Sequence, residues 1–188
     1  GIKQYIIDEL NISSNYGTGY NVPTIYQLFE PAGNSGPVGN INLEPEKTKS
    51  YDLGIEYKGF SITYFNTKID NMIDWVVVTP PWNGVYDNIE GTSKIKGTEI
   101  AYKNEVIEDT FLNLSYTNLS AKNDKDEYLA RRAKNKFNFG VDYYGLKDFH
   151  FNINGEYIGT RYEKDDEKGA KTGNYTIWNA VVDYDISK

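Results

Sequence analysis

The chain of 188 residues has no cysteine. Disulfides and thiolate metal sites are therefore excluded. With a single histidine as well, Cys/His catalytic pairs and most metal-hydrolase schemes are excluded too. Positive charge is scarce: 20 Lys+Arg stand against 27 Asp+Glu, a formal net charge of -7. A nucleic-acid surface needs a basic stripe, so no nucleic-acid partner is expected. No run of about 18 apolar residues occurs, which excludes a transmembrane helix and says nothing about strands. The first ten residues hold no basic region followed by an apolar stretch, so no signal peptide is expected there. There is no G-x-S-x-G elbow, and the GTG at 17–19 lacks the strand-to-helix setting of a phosphate loop. No enzyme, cofactor or metal site is expected. The acidic clusters Asp124/Asp126/Glu127 and Asp165/Asp166/Glu167 carry interspersed lysines without calcium-loop spacing, and read as solvated loop tips.

What the chain does have is aromatic residues and glycine. There are 17 Tyr, 8 Phe and 3 Trp, with 17 Gly. Aromatic side chains suit pleated surfaces, and glycine suits turns. Alternation with period two recurs along the chain. Leu53, Ile55 and Tyr57 oppose Asp52, Gly54 and Glu56; Phe149, Phe151 and Ile153 oppose His150, Asn152 and Asn154. Phe137, Phe139 and Val141 oppose Asn138, Gly140 and Asp142. About eight strands are predicted, beginning near 9–20 and including segments near 60–75 and 92–103. A single helical turn is predicted at 24–29, after Pro23.

The connections alternate. Long segments at 21–46, 76–88, 122–130 and 163–173 are separated by tight turns at 58–59, 104–109 and 145–148. In an up-and-down sheet, alternate connections lie at the same end, so all long loops share one end. The fold class expected is all-β: an antiparallel up-and-down meander of long strands, part of a transmembrane β-barrel with short turns on one side and long loops on the other. Aromatics beside the tight turns, such as Tyr57, Phe60, Tyr143, Tyr144 and Phe149, fit interfacial girdles. The same alternation also describes a soluble β-sandwich or lipocalin-like binding module, and periodicity alone leaves both open.

Several motifs resemble those of TonB-dependent outer-membrane transporters. YGTGYNVPTIYQLF at 16–29 is similar to the family's G-(Y/F)-x-x-P-x-(L/I)-x-(Q/E)-L-(F/Y) signature. NINLEPEKTKSYDLGIEY at 40–57, IDNMIDW at 69–75 and NIEGTSKIKGTEI at 88–100 follow in family order, as do LARRAK at 129–134 and YIGTRYEK at 157–164. The last two resemble the vitamin B12 (cobalamin) branch; siderophore and haem receptors share the others.

The resemblance implies a segment, 1–188, of a receptor barrel domain of about 22 strands, with the plug domain and the last strands absent. It implies residence in the bacterial outer membrane among lipid and lipopolysaccharide. It implies uptake of cobalamin or a metal chelate, with TonB acting only through the missing plug. A small autonomous outer-membrane barrel is the alternative within the same class. Ligand contacts are expected from aromatic and amide groups of the long loops: Tyr26, Asn34, Trp82, Asn83, Tyr86 and Tyr162. Arg131 and Arg132 are expected to face the lumen or a neighbouring carboxylate, and Glu44, Glu46 and Lys47 to close the first long loop onto the next strand.

Overall fold

The computed structural model describes residues 1–31, 39–79 and 83–186. Nine strands form one antiparallel sheet. In spatial order these are β1 (Ile2–Ile7), β2 (Leu10–Asn21), β3 (Glu46–Tyr57), β4 (Phe60–Asp70), β7 (Thr92–Ile107), β8 (Thr110–Lys122), β9 (Asn135–Tyr143), β10 (Phe149–Ile158) and β13 (Tyr175–Tyr184). The missing numbers belong to two hairpins inserted between neighbours: β5 (Ile73–Thr79) with β6 (Asn83–Asn88), and β11 (Arg161–Lys164) with β12 (Lys168–Thr172). A single helical turn, α1 (Ile25–Phe29), follows β2. Every strand of the main sheet pairs with its sequential neighbour once the hairpins are set aside. Such a meander lacks the Greek-key crossings of a sandwich. β1 and β13 do not pair, so the described strands form an open wall, unlike the autonomous closed barrel.

The count exceeds the expected eight because β1 escaped the pattern. Its register with β2 shifts between Tyr5 and Ile7, and this bulge breaks the alternation that would have marked a strand. The segment expected as one strand over 60–75 is two, with β4 ending at Asp70 and Ile73 opening the hairpin. The loops expected at 76–88 and 163–173 are largely hairpin. β7 runs on to Ile107, so the turn expected over 104–109 is reduced to Glu108 and Asp109.

The tight turns set the register. Tyr57 pairs with Phe60 across Lys58 and Gly59, which have φ 49 and 76. Two central residues at positive φ make a primed hairpin turn, whose twist matches that of the strands. Glycine is required at the second position: a Cβ on Gly59 would lie 2.3 Å from the Lys103 carbonyl oxygen.

The two faces differ sharply. One carries an isoleucine row, with Ile12, Ile55, Ile62 and Ile100 side by side across four strands. The row continues through Tyr116, Phe137 and Tyr157. These side chains lie open: Leu53 and Ile153 are each 55% exposed, Trp178 66%. The opposite face is concave and polar, with a hollow lined by Asn11, Ser13, Glu56, Ser61, Thr63 and Lys103. Its groups bond across strands. Asn11 donates to Glu56 at 3.1 Å, Asn15 to Asp52 at 2.8 Å and Asn152 to Asp142 at 2.8 Å. His150 sits between Asp142 (2.9 Å) and Asp183 (3.0 Å) and stacks on Tyr144. A water-soluble sheet hides its apolar face and wets its polar one. Here the apolar face is convex and uncovered, an arrangement that marks an interaction surface for lipid or protein.

Candidate functional site

All four long connections leave the same end of the sheet, and the turns at 8–9, 58–59, 108–109 and 144–148 occupy the other. At the loop end the concave face stops being polar. Met72, Ala121 and Leu129 are buried together, with Ile69, Ile89 and Ile95 packed around them. Ile69, Ile95 and Ala121 belong to strands, whereas Met72, Ile89 and Leu129 come from connections folded inward over the sheet. This small core divides two clusters of loop side chains.

The first cluster joins α1 to the β5–β6 hairpin. Thr24 caps the helix: its Oγ1 accepts from the Gln27 N–H, and the Gln27 side chain accepts from the Thr24 N–H at 2.8 Å. This reciprocal box fixes where a short helix begins. The returning chain docks on the helix end, with Asn40 N–H donating to the Gln27 carbonyl at 2.8 Å. Asn40 Nδ2 then reaches the Tyr86 carbonyl at 3.1 Å. Asn88 clasps the next stretch. Its Oδ1 accepts from Glu44 N–H (2.8 Å), while its Nδ2 donates to the carbonyls of Glu44 (2.9 Å) and Asn71 (2.8 Å). Glu44 accepts from Asn71, and Glu46 from the Ile73 N–H, so both acids hold the first loop to the segment that opens the β5–β6 hairpin, and not to the next strand as expected. Lys47 forms no ion pair among the described residues and stands exposed on the convex face. Three aromatic rings result from this scaffold: Tyr86 lies edge-on to Trp75 at 5.1 Å and to Tyr26 at 6.1 Å. Tyr26 Oη donates to Glu30, and that bond raises the phenol's pKa above its ordinary value.

The second cluster joins the 123–134 loop to the β11–β12 hairpin. Ala130 N–H donates to Asp165 at 2.6 Å, Arg131 N–H to the Tyr162 carbonyl at 2.8 Å, and Asp166 N–H to the Tyr128 carbonyl at 2.7 Å. Lys134 pairs with Glu167 at 2.6 Å and lies 3.7 Å from the Tyr128 ring centroid. A cleft between the two segments is lined by Tyr128, Arg132, Lys134, Tyr162 and Lys164.

The expected ligand residues therefore divide. Tyr26 and Tyr86 share the first cluster; Tyr162 belongs to the second. Asn34 and Trp82 lie outside the described residues, and Asn83 is placed by its backbone alone, opposite Thr79. Trp75, Asn40, Asn88 and Tyr128 were missed as loop-end residues. The alternation over 60–75 runs Trp75 into the end of one long strand, whereas the chain breaks before it at Asn71–Met72, with a positive φ of 57 at Asn71. Arg131 turns the chain at φ 59, and neither it nor Arg132 pairs with a carboxylate among the described residues. The acidic clusters are engaged by their own surroundings: Asp126 with Lys122, Glu127 with Asn123, Asp165 with Ala130 N–H, Asp166 with Lys168 and Glu167 with Lys134.

A family model for the TonB dependent receptor-like β-barrel matches residues 4–188. The chain belongs to this family. It is a family of receptor barrels, not of enzymes. Solved structures agree on the fold. The copper transporter OprC superimposes with a TM-score of 0.75 at 17% identity, over 99% of this chain and 31% of that one. A mutant of the ferric enterobactin receptor PfeA from Pseudomonas aeruginosa gives 0.76 at 18%, over 99% and 32%. The siderophore receptor PirA from Acinetobacter baumannii gives 0.72 at 19%, over 98% and 34%. The chain thus spans about a third of the length of these solved relatives.

Proposed function

We propose that these residues form part of the wall and external loops of an outer-membrane transporter that captures a large, scarce metal chelate. One observation carries the reading. In a chain of this family, the meander gathers every long connection at one end above a convex apolar face and a concave polar one. In outer-membrane barrels that arrangement puts the apolar face in lipid, the polar face in the lumen and the long loops outside. Work of this kind needs no covalent chemistry. The loops bind, and energy arrives from TonB through a plug that these residues do not form.

A ferric siderophore is the ligand class we favour. PfeA and PirA are by name receptors for such compounds. The second cluster offers Arg132 and Lys164 beside Tyr128 and Tyr162, with Lys134 held by Glu167 in the same lining; the two remaining cations and the rings suit an anionic, aromatic chelate. Cobalamin has less support. The LARRAK and YIGTRYEK segments that suggested it pack on each other through Arg131 and Tyr162, so loop structure already accounts for them. Tyr26 and Tyr86 remain our proposed contacts in the first cluster, with Tyr162 in the second.

The test uses the receptor that carries this segment, purified from outer membranes in detergent. Ferric enterobactin and cyanocobalamin are titrated separately, following tryptophan fluorescence and retention on gel filtration. Ferric enterobactin binding that Tyr86→Ala weakens about tenfold, the scale of a lost aromatic anchor, supports the reading. Cyanocobalamin binding alone would overturn the siderophore assignment. A protein found only in the soluble fraction would overturn the transporter.

A further inference from the structure

The register places four lysines in a single row. Lys49 pairs with Lys68, Lys68 with Lys94, and Lys94 with Lys122, across the consecutive strands β3, β4, β7 and β8. Lys96 stands one step of two residues below, beside Asn66. All five alternate in phase with Leu53, Ile55, Ile62 and Ile100, so they belong to the convex apolar face. Strands lie about 4.8 Å apart, so the row spans about 14 Å.

Such a row is unfavourable by itself. Like charges directly opposite across strands destabilise a sheet, and this chain has more acid than base. From within, the row is offset chiefly by Asp126, which pairs with Lys122 and lies within the field of Lys94 and Lys96. Lys122 bonds Asp126 at 2.8 Å and lies 4.8 Å from the Tyr128 ring centroid. Asp70, the next acid on this face, sits two residues beyond Lys68, where it accepts from Thr92. Lys49, Lys68, Lys94 and Lys96 form no ion pair among the described residues. Lys49, Lys68 and Lys94 are exposed.

Position supplies the occupant. Directly below come the tilted pair Tyr51 and Tyr64, with ring centroids 6.2 Å apart, and then the isoleucine row. Lys49 is eight residues from Tyr57 at the opposite girdle, about 27 Å of strand. A strand tilt of about 40° reduces this to about 20 Å of height, close to the apolar band of an outer-membrane barrel. The lysines therefore stand at the outer rim of that band, pointing away from the lumen and into the headgroup layer on the long-loop side. In the outer leaflet of a bacterial outer membrane, the headgroups at that depth are the phosphorylated sugars of lipopolysaccharide.

We propose that Lys49, Lys68, Lys94 and Lys96 form a docking site for the phosphates of one lipopolysaccharide molecule, its acyl chains lying on the isoleucine face. The proposal rests on the outer-membrane reading. Lys122 closes the end of the row while keeping Asp126 as its partner.

The test uses the detergent-purified receptor and rough lipopolysaccharide, before and after chemical removal of its phosphates. Binding is read by native mass spectrometry and titration. At about fivefold per lysine, the combined variant Lys49→Gln, Lys68→Gln, Lys94→Gln, Lys96→Gln loses about a hundredfold or more. Arginine at the same four positions restores binding, and Lys58→Gln with Lys147→Gln, at the turn end, leaves it unchanged. Dephosphorylated lipopolysaccharide binds the native receptor no better than it binds the glutamine variant. Equal affinity of native and glutamine variants, or indifference to phosphate, overturns the proposal. Equal binding to phosphatidylglycerol vesicles overturns lipopolysaccharide as the occupant. If the combined variant fails to assemble, Lys68→Gln and Lys94→Gln are read singly, and no weakening in either overturns the site. Native protein without a heat-modifiable outer-membrane band would refute the transporter reading instead, so the two failures are distinguishable.

Discussion

Arg131 donates its backbone N–H to the carbonyl of Tyr162 at 2.8 Å, which joins the loop before β9 to the hairpin after β10. Asp165 reinforces the joint through Ala130 N–H. Replacing Asp165 with Ala removes a charge-assisted bond worth about 1.5–3 kcal/mol. Trypsin cleavage after Arg131, Arg132 and Lys164 is expected to quicken roughly tenfold or more, while the heat-modifiable band persists. Cleavage at the native rate would show that the joint holds without Asp165.

The Lys58–Gly59 turn makes a pair of opposite expectations. Gly59→Ala puts a Cβ against the Lys103 carbonyl at positive φ, and costs about 1–3 kcal/mol. Lys58→Asn places a residue tolerant of positive φ where lysine now sits, and gains about 0.5 kcal/mol. The exposed Lys58–Glu9 pair at 3.7 Å, lost in that variant, contributes little. Urea midpoints of folding into vesicles should move in opposite directions.

Asn88→Ala opens three hydrogen bonds at once, which together contribute about 2–4 kcal/mol to the docking of the first loop. Trp75 and Tyr86 sit on the hairpin that Asn88 closes, so tryptophan emission should shift to the red. Asn88→Asp keeps the acceptor for Glu44 N–H and should recover only part of the effect. An unshifted spectrum in Asn88→Ala would separate the aromatic cluster from the clasp.

The 123–134 loop has a stability window in pH. The hydrogen bond from Lys122, aided by Lys94 and Lys96, holds the Asp126 carboxyl below its ordinary range. Its contribution is complete above the ordinary aspartate value and lost as pH falls through the lowered one. Glu167 holds Lys134 above the ordinary lysine range. That contribution is complete below the ordinary lysine value and lost as pH rises through the raised one. Amide exchange over the loop, corrected for intrinsic rates, should stay flat between about pH 5 and 9 and rise outside those limits. Asp126→Asn should remove the acid limb alone.

The wall was legible in the sequence because a sheet with one apolar and one polar face writes its period into every strand. Leu53, Ile55 and Tyr57 needed no structure to be assigned to one face. The order of long and short connections was equally plain, and with it the end that carries the loops. β1 was lost to a bulge, and the two hairpins to their small size and their lack of a buried face. The loop-end residues were harder. Tyr26 and Tyr86 could be named as aromatic and loop-borne, but their meeting depends on the bonds of Asn40 to Tyr86 and of Asn88 to Glu44, each spanning more than forty positions of the chain. The lysine row was hidden for the same reason. Each lysine is unremarked in its own strand, and only the register aligns them.

The polar face has a consequence for whatever passes along it. Asn179 donates to Asn154, Asn154 to Asn152, and Asn152 to Asp142, a line of amides crossing three strands. An amide both gives and accepts, and it gives up one partner for another of nearly equal strength. As the lining of a pore, it offers a solute many shallow resting points in place of one deep trap. On the proposed transporter reading, friction along such a wall is low, and the ligand's grip is left to the loops.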